Sequence, residues 1–382
     1  MKVAHLTTTD ISLRYLVLPQ LTAVITRGGR ALGISAAGPF VPELEEVGIE
    51  FIGLKGSTRS SNPIADLRAA FGLWRILRRE RPDILHTHNP KPGIYGRIVG
   101  RLAGVPIVIN TVHGLYATPN DRWVKRAFVY TLEAIAARFS DVEHIQSPED
   151  LELMTRLHII PQHKARLLGN GIDLERFKPS ELSPAEKARR REAIGVDPET
   201  VVIGMVGRLV AEKGFPELIH AAGLLGDRYT VVAIGPHDPE KSDALPPELL
   251  SEAEQNGVRF LGMRKDVEDL YPLMDMFALP SHREGFPRAA MEAAASGLPV
   301  VATDIRGCRQ VVDDGFNGFL TPLRDPQALA ERLDELGKNE DLRVRMGKAS
   351  RAKAEAEFDE MEVVRKIIGS YDELLTAKGL AR

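Results

Sequence analysis

A single cysteine, Cys308, occurs in 382 residues, so no internal disulfide can form and a reducing compartment is expected. No uninterrupted apolar run approaches the ~18 residues of a membrane-spanning helix. The start, Met1-Lys-Val-Ala-His-Leu6, is soon interrupted by Asp10 and Arg14, which suits a first strand and not a signal peptide. Short-period repeats and low-complexity tracts are missing too. Net charge is only −3, which gives no reason to expect a nucleic-acid partner. His86 and His88 share one face of a strand, as a zinc pair would. No HExxH or further cysteine accompanies them, so no metal is expected.

What is present is a globular composition, 43% apolar and 27% charged, in a chain long enough for two domains of roughly 170–200 residues. Charge is unevenly divided. Through residue 172 there are 21 Lys+Arg against 15 Asp+Glu, and the remainder holds 29 against 38. A basic front half suits an anionic partner, such as a phosphorylated acceptor or an acidic membrane surface. The plain alternative is an accident of composition.

Short apolar runs alternate with longer helical patterns, the signature of parallel α/β architecture. Strands are expected near 3–6, 31–35, 51–54, 84–88, 107–111 and 144–147. They recur near 201–206, 230–234, 258–261, 276–279, 300–303 and 318–320. Helical stretches lie at 19–27, 64–80, 93–103 and 123–139. Each half reads as its own doubly wound, Rossmann-like sheet. The domains are expected at 1–172 and 173–360, with a helix at about 361–382 packing back on the first. Two such domains imply a cleft, and ligands of open α/β sheets bind at the carboxyl ends of strands.

The densest chemistry lies in Ser281-His-Arg-Glu-Gly-Phe-Pro-Arg-Ala-Ala-Met-Glu292. Glu284 stands in a glycine loop after an apolar strand, and Glu292 in the helix that follows. Pro287 suits that helix's first turn. Amides around Gly285 and Phe286 then lie at the positive end of a helix dipole, a site for phosphate. The alternative is a buried helix with two solvated glutamates. In Val206-Gly-Arg-Leu-Val-Ala-Glu-Lys-Gly214, Gly207 permits close backbone approach, while Arg208 and Lys213 can neutralise a departing diphosphate. His113, in Asn110-Thr-Val-His-Gly-Leu115, ends a strand of the first domain. In the helix 64–80, Leu67, Phe71, Trp74 and Leu77 form a stripe read as core-facing, with Arg68, Arg75 and Arg79 on another face. The sharper reading of that helix is docking on an anionic membrane.

Glu284 and Glu292 with seven residues between them, the Gly207-Arg208…Lys213-Gly214 loop and His113-Gly114 together resemble family 4 of the retaining glycosyltransferases, which have the two-Rossmann GT-B fold. The resemblance covers nearly the whole chain. Asp83-Ile-Leu-His-Thr-His-Asn-Pro-Lys-Pro-Gly93, Thr303-Asp-Ile-Arg-Gly-Cys308 and Asp313-Asp-Gly-Phe-Asn-Gly-Phe319 are similar to the bacterial branch that builds capsular, exopolysaccharide or lipid-linked oligosaccharide chains. The resemblance implies that Glu284 contacts donor-sugar hydroxyls and Glu292 the ribose. Arg208 and Lys213 would hold the diphosphate in a pocket lined by Gly207, Gly285, Phe286 and the neighbourhood of Pro287. His113 would lie beside the transferring sugar, and the loop with Met263 and Arg264 would meet the base. Two departures stand out: Thr7-Thr-Thr-Asp-Ile-Ser12 replaces the family's frequent Gly-Gly loop, and Gln310 stands where many members have glutamate.

The implied reaction is front-face transfer from a nucleotide-diphosphate sugar, UDP being the expected base, to an acceptor hydroxyl, with no cofactor or metal. The location implied is cytoplasmic, with a peripheral seat on the inner face of the plasma membrane as the sharper expectation. Two other readings remain open: an isomerase like UDP-N-acetylglucosamine 2-epimerase, and a non-catalytic nucleotide-sugar-binding protein.

Overall fold

The inner strands are buried at nearly every position, as parallel strands under helices must be. Ile107–Val112 and Val300–Thr303 are buried throughout. The computed structural model describes residues 1–58, 62–88, 90–118, 121–237 and 243–381. Asn89 of the 83–93 motif and Arg382 of the C-terminal helix lie outside the described residues. The chain divides into two units, Met1–Asn170 with Glu360–Arg382, and Gly171–Asp359.

The first unit holds β1 (Lys2–Thr9), β2 (Arg30–Ala36), β3 (Glu50–Gly53), β4 (Ile84–His88), β5 (Ile107–Val112), β6 (Val142–Ile145) and β7 (Ala165–Leu167). The second holds β8 (Val201–Val206), β9 (Tyr229–Ile234), β10 (Val258–Phe260), β11 (Met276–Leu279), β12 (Val300–Thr303) and β13 (Gly318–Thr321). The sheet orders are β3-β2-β1-β4-β5-β6-β7 and β10-β9-β8-β11-β12-β13. Every pairing between these strands is parallel. The order reverses between β1 and β4, and again between β8 and β11, the places where doubly wound sheets open a crevice.

In the first unit, helices Pro63–Glu80 and Pro90–Leu102 cover one face, setting Leu73, Leu77 and Val99 against Leu6, Ile34 and Leu85. Leu18–Thr26 and the C-terminal helix Glu360–Ala377 cover the other, setting Leu21, Val24, Ile367 and Tyr371 against Val3, Ile84 and Ile107. Arg97 anchors its helix to the sheet. It is fully buried and donates to Glu143 Oε1 at 2.8 Å and Glu133 Oε2 at 2.5 Å. Burial would lower its pKa, but Glu143 and Glu133 outweigh burial and raise it. In the second unit, Phe215, Leu218 and Leu333 pack on one sheet face and Met291, Ala294 and Phe358 on the other.

Several expectations need correction. The unit boundary precedes Ile172, because that residue donates its N–H to Phe358 O at 2.9 Å and packs in the second unit's core. The strand expected at 144–147 is Val142–Ile145, since Pro148 starts a helix with Ser147 at its N-cap. The helix expected from Gly93 begins at Pro90. Thr7–Ser12 is not a loop: β1 runs through Thr9, and Asp10–Val17 is helical with a π turn at Leu13–Val17. The helix at 63–80 is turned relative to its expected face. Ala69, Leu73 and Leu77 are buried, whereas Leu67 and Phe71 are 72% and 60% exposed.

Candidate functional site

Two loops meet at the second unit's sheet reversal. One leaves β8 at Gly207 and runs to Gly214; the other leaves β11 at Pro280 and runs to Pro287. Gly214 has φ +79°, and a Cβ there would sit 2.0 Å from Pro280 O, so only glycine lets the loops touch. His282 N–H to Glu212 O at 2.8 Å also joins them, and His282 Nε2 meets Glu217 Oε1 at 2.8 Å in the helix Phe215–Leu225 that follows the first loop. Lys213 Nζ reaches Glu284 Oε1 at 2.6 Å, and Ser281 Oγ donates to the same oxygen at 2.8 Å. The structure thus brings Lys213 and Glu284 directly together, and Lys213 keeps further ammonium N–H groups for another acceptor. A Cβ on Gly207 would lie 3.8 Å from the Lys213 chain, so the two ends of this loop are close. Arg208 is half-buried and its guanidinium has no ion pair or hydrogen bond among the described residues. A cation in that state is suited to an anionic ligand.

Gly307 adds a third wall. Its Cβ would stand 2.7 Å from both Glu284 O and Gly285 O, so the 303–308 segment presses on the carboxylate loop. The Gly285 amide makes no hydrogen bond among the described residues. Phe286 stacks edge-on against Phe358 at 5.9 Å. Pro287 is the N-cap of the helix Arg288–Ala295, not part of its first turn. Glu292 therefore lies just over one turn into the helix. It accepts from Tyr271 Oη at 3.0 Å and sits 3.9 Å from Arg288. Burial raises its pKa, against the opposing pull of Arg288 and Tyr271. Glu292 is thus held in a cluster with Tyr271 and Arg288, whereas Glu284 is held by Lys213 and Ser281. Arg264 is bound by Asp266 at 2.6 and 2.8 Å, and Met263 is exposed. Their loop is tied to the end of β9 by Gly235 N–H to Gly262 O, 2.9 Å.

His113 belongs to the first unit, one residue past β5. Its Nε2 lies 3.0 Å from His88 Nδ1, and His88 begins a buried chain through His5, Tyr371 and His86. His5, His86 and His88 have ring nitrogens within 4.8 Å of one another. That spacing could hold a metal ion, yet both nitrogens of each ring already have hydrogen-bond partners. Sequence reasoning missed His5, Tyr371, Ser281 and Gly307. The visible signal for His5 was a histidine within β1, others within β4 and one just past β5, three strands that this sheet order makes neighbours.

Two parallel, doubly wound α/β units in one chain are the architecture of the GT-B fold. Residues 20–171 match the "glycosyl transferase 4-like domain" and residues 186–353 the "glycosyl transferases group 1" family. The chain is 31% identical over 328 residues to an Escherichia coli UDP-Gal:alpha-D-GlcNAc-diphosphoundecaprenol alpha-1,3-galactosyltransferase, covering 84% of this chain and 83% of that one. The chain therefore belongs to this family 4-type glycosyltransferase family. It is 25% identical over 379 residues to a Campylobacter jejuni N,N'-diacetylbacillosaminyl-diphospho-undecaprenol alpha-1,3-N-acetylgalactosaminyltransferase, covering 98% and 99% of the two chains. The structure of Anabaena Alr3699/HepE in complex with UDP and glucose superposes with a TM-score of 0.81 at 22% identity, covering 98% of this chain and all of that one.

Proposed function

We propose that this glycosyltransferase moves a sugar, with retention, from a UDP-sugar to a hydroxyl of a lipid-linked or polysaccharide acceptor. The observation that carries the reading is the half-buried, unpartnered Arg208 on the loop that also delivers Lys213 to Glu284. The guanidinium and the remaining N–H groups of Lys213 take up charge as the diphosphate leaves. Glu284 holds sugar hydroxyls with its second oxygen, and Glu292 the ribose. The Gly285 and Phe286 amides and Pro287 line the pocket with Gly207, and the Met263–Arg264 loop meets the base. His113 contacts the transferring sugar, and a leaving diphosphate oxygen takes the acceptor proton. The names of the E. coli and Campylobacter relatives, with their diphospho-undecaprenol acceptors, support a lipid-linked acceptor. The UDP bound by the Anabaena protein supports the base.

The cations supply what a divalent ion would otherwise supply, so activity should survive chelation. Lys213→Ala should lower turnover about 10²-fold. Titration calorimetry against UDP, GDP and ADP should select UDP, and proton NMR of the product should show the donor's anomeric configuration. Near-normal turnover of the variant, or loss of activity in EDTA, would refute the diphosphate reading.

A peripheral seat on an anionic bilayer belongs to the same proposal. Among the described residues no helix is long and apolar enough to cross a membrane. Helices Pro63–Glu80 and Trp123–Ala136 both pack against Pro90–Leu102. They leave Ile64, Leu67, Phe71, Trp123, Val124 and Phe128 exposed. Beside them Lys55, Arg68, Arg75, Arg78 and Arg79 line one groove. Arg68, Arg75 and Arg78 have no ion pair among the described residues. Apolar side chains rimmed by unpaired cations suit the boundary between acyl chains and anionic headgroups.

A further inference from the structure

Under the C-terminal helix, six polar side chains of the first unit form one hydrogen-bonded chain. Thr111 Oγ1 lies 2.7 Å from His86 Nε2, and His86 Nδ1 lies 2.6 Å from Tyr371 Oη. Tyr371 Oη is 3.2 Å from His5 Nε2, and His5 Nδ1 is 2.9 Å from His88 Nε2. His88 Nδ1 then meets His113 Nε2 at 3.0 Å. The strands create this order. His5 faces His86 in the β1–β4 register, and His88 faces Thr111 in the β4–β5 register.

His5, His86, His88, Thr111 and Tyr371 are all buried. Burial keeps the rings neutral, lowering His5 to about 3 and holding His86 and His88 well below the usual histidine value. A neutral imidazole carries one N–H and one bare nitrogen. With one proton in every link, only two arrangements satisfy the whole chain. If donation runs from Thr111 toward His113, every histidine is protonated at Nδ1. If it runs the other way, every histidine is protonated at Nε2.

Thr111 decides between them. Its hydroxyl is buried and has no other hydrogen-bond partner among the described residues. Were His86 to donate to it, the hydroxyl proton would be a buried donor with no acceptor, the costlier defect. Thr111 therefore donates, and the direction passes link by link to the end of the chain.

We infer that Thr111, His86, Tyr371, His5 and His88 are positioning residues that fix His113 as the Nδ1–H tautomer, so that His113 serves its substrate as a hydrogen-bond donor and not as a general base. The tautomer assignment stands on the hydrogen-bond geometry together with the burial that keeps the rings neutral; the substrate contact rests on the function proposed above. With Nε2 accepting from His88 and Nδ1 protonated, neither ring nitrogen has a lone pair to take a proton. This agrees with a leaving diphosphate oxygen as the proton acceptor.

The test is nitrogen-15 NMR of the full chain labelled at histidine, with resonances assigned by single substitutions. His5, His86, His88 and His113 should all show protonated Nδ1 and bare Nε2. An all-Nε2–H pattern, a mixture within the chain, or a charged ring would overturn the inference. In His88→Leu, His113 should lose its single tautomer and kcat should fall about tenfold with KM for the donor little changed. His88→Gln, whose amide can still donate, should restore both. An unchanged His113 tautomer in His88→Leu would also overturn it. Titrating wild type with UDP-glucose separates the two layers. Tautomers as expected with His113 resonances unmoved by ligand would overturn the substrate contact and leave the tautomer assignment standing.

Discussion

Glu292 combines two demands that conflict. It is held by Tyr271 in a mostly buried position, and burial raises its pKa. Because the folded-state pKa is the higher one, the native state binds this proton more tightly than the unfolded chain does. The carboxyl's favourable contribution is complete below the unfolded pKa and is lost as pH rises through the folded one. Glu292→Gln keeps an acceptor for Tyr271 and removes the buried charge. Its melting temperature should match wild type near pH 4 and exceed it at pH 7–8, while UDP affinity falls. A stability difference independent of pH would contradict this. A carboxylate kept at a cost to stability is what a ligand-binding role would explain. The sequence identified Glu284, Glu292, Arg208 and Lys213 as candidates because loop, glycine and helix context are local signals. It could not show that Lys213 bonds Glu284, or that Glu292 belongs to a cluster with Tyr271 and Arg288. Those pairings depend on how two separate strand ends approach.

The helix Pro63–Glu80 shows where periodicity runs out. It carries two apolar stripes, Leu67–Phe71–Trp74 and Ala69–Leu73–Leu77, and a 3.6-residue repeat cannot say which faces the sheet. The second is buried, because smaller side chains at 69 and a leucine pair fit against Leu54 and Leu85. The larger first stripe is left outside, and Phe71 stacks on Trp74 at 6.0 Å. Vesicles containing phosphatidylglycerol should therefore sediment the protein, and neutral phosphatidylcholine vesicles should not. Replacing Arg68, Arg75 and Arg78 together by alanine should weaken binding about 100-fold, at roughly 1 kcal/mol per cation. Phe71→Ser should weaken it without lowering the melting temperature, since that ring is already exposed. Equal binding to both vesicle types would exclude this seat.

The two doubly wound sheets were legible because their inner strands are nearly continuous buried runs; the short, part-exposed edge strand Ala165–Leu167 gave no such signal and was not expected. The chain's return to its first unit is less local, yet Val363, Val364, Ile367, Ile368, Tyr371 and Leu374 mark a helix with one apolar face, of which the first five are buried together with Leu375. Burying six such side chains stabilises by about 1.5–3 kcal/mol each, on the order of the 5–15 kcal/mol that holds a whole domain folded. Deleting residues 360–382 should abolish the first unit's calorimetric transition and leave that of 171–359 near its original temperature. Survival of both transitions would show that the first unit needs no closing helix. The same threading governs the order of events on the ribosome. Residues 171–359 form one unbroken stretch and can close their core as soon as they emerge. The earlier-made 1–170 must wait, one side of its sheet bare, until translation has passed residue 360, so the half synthesised first is completed last and is the natural client of a holding chaperone.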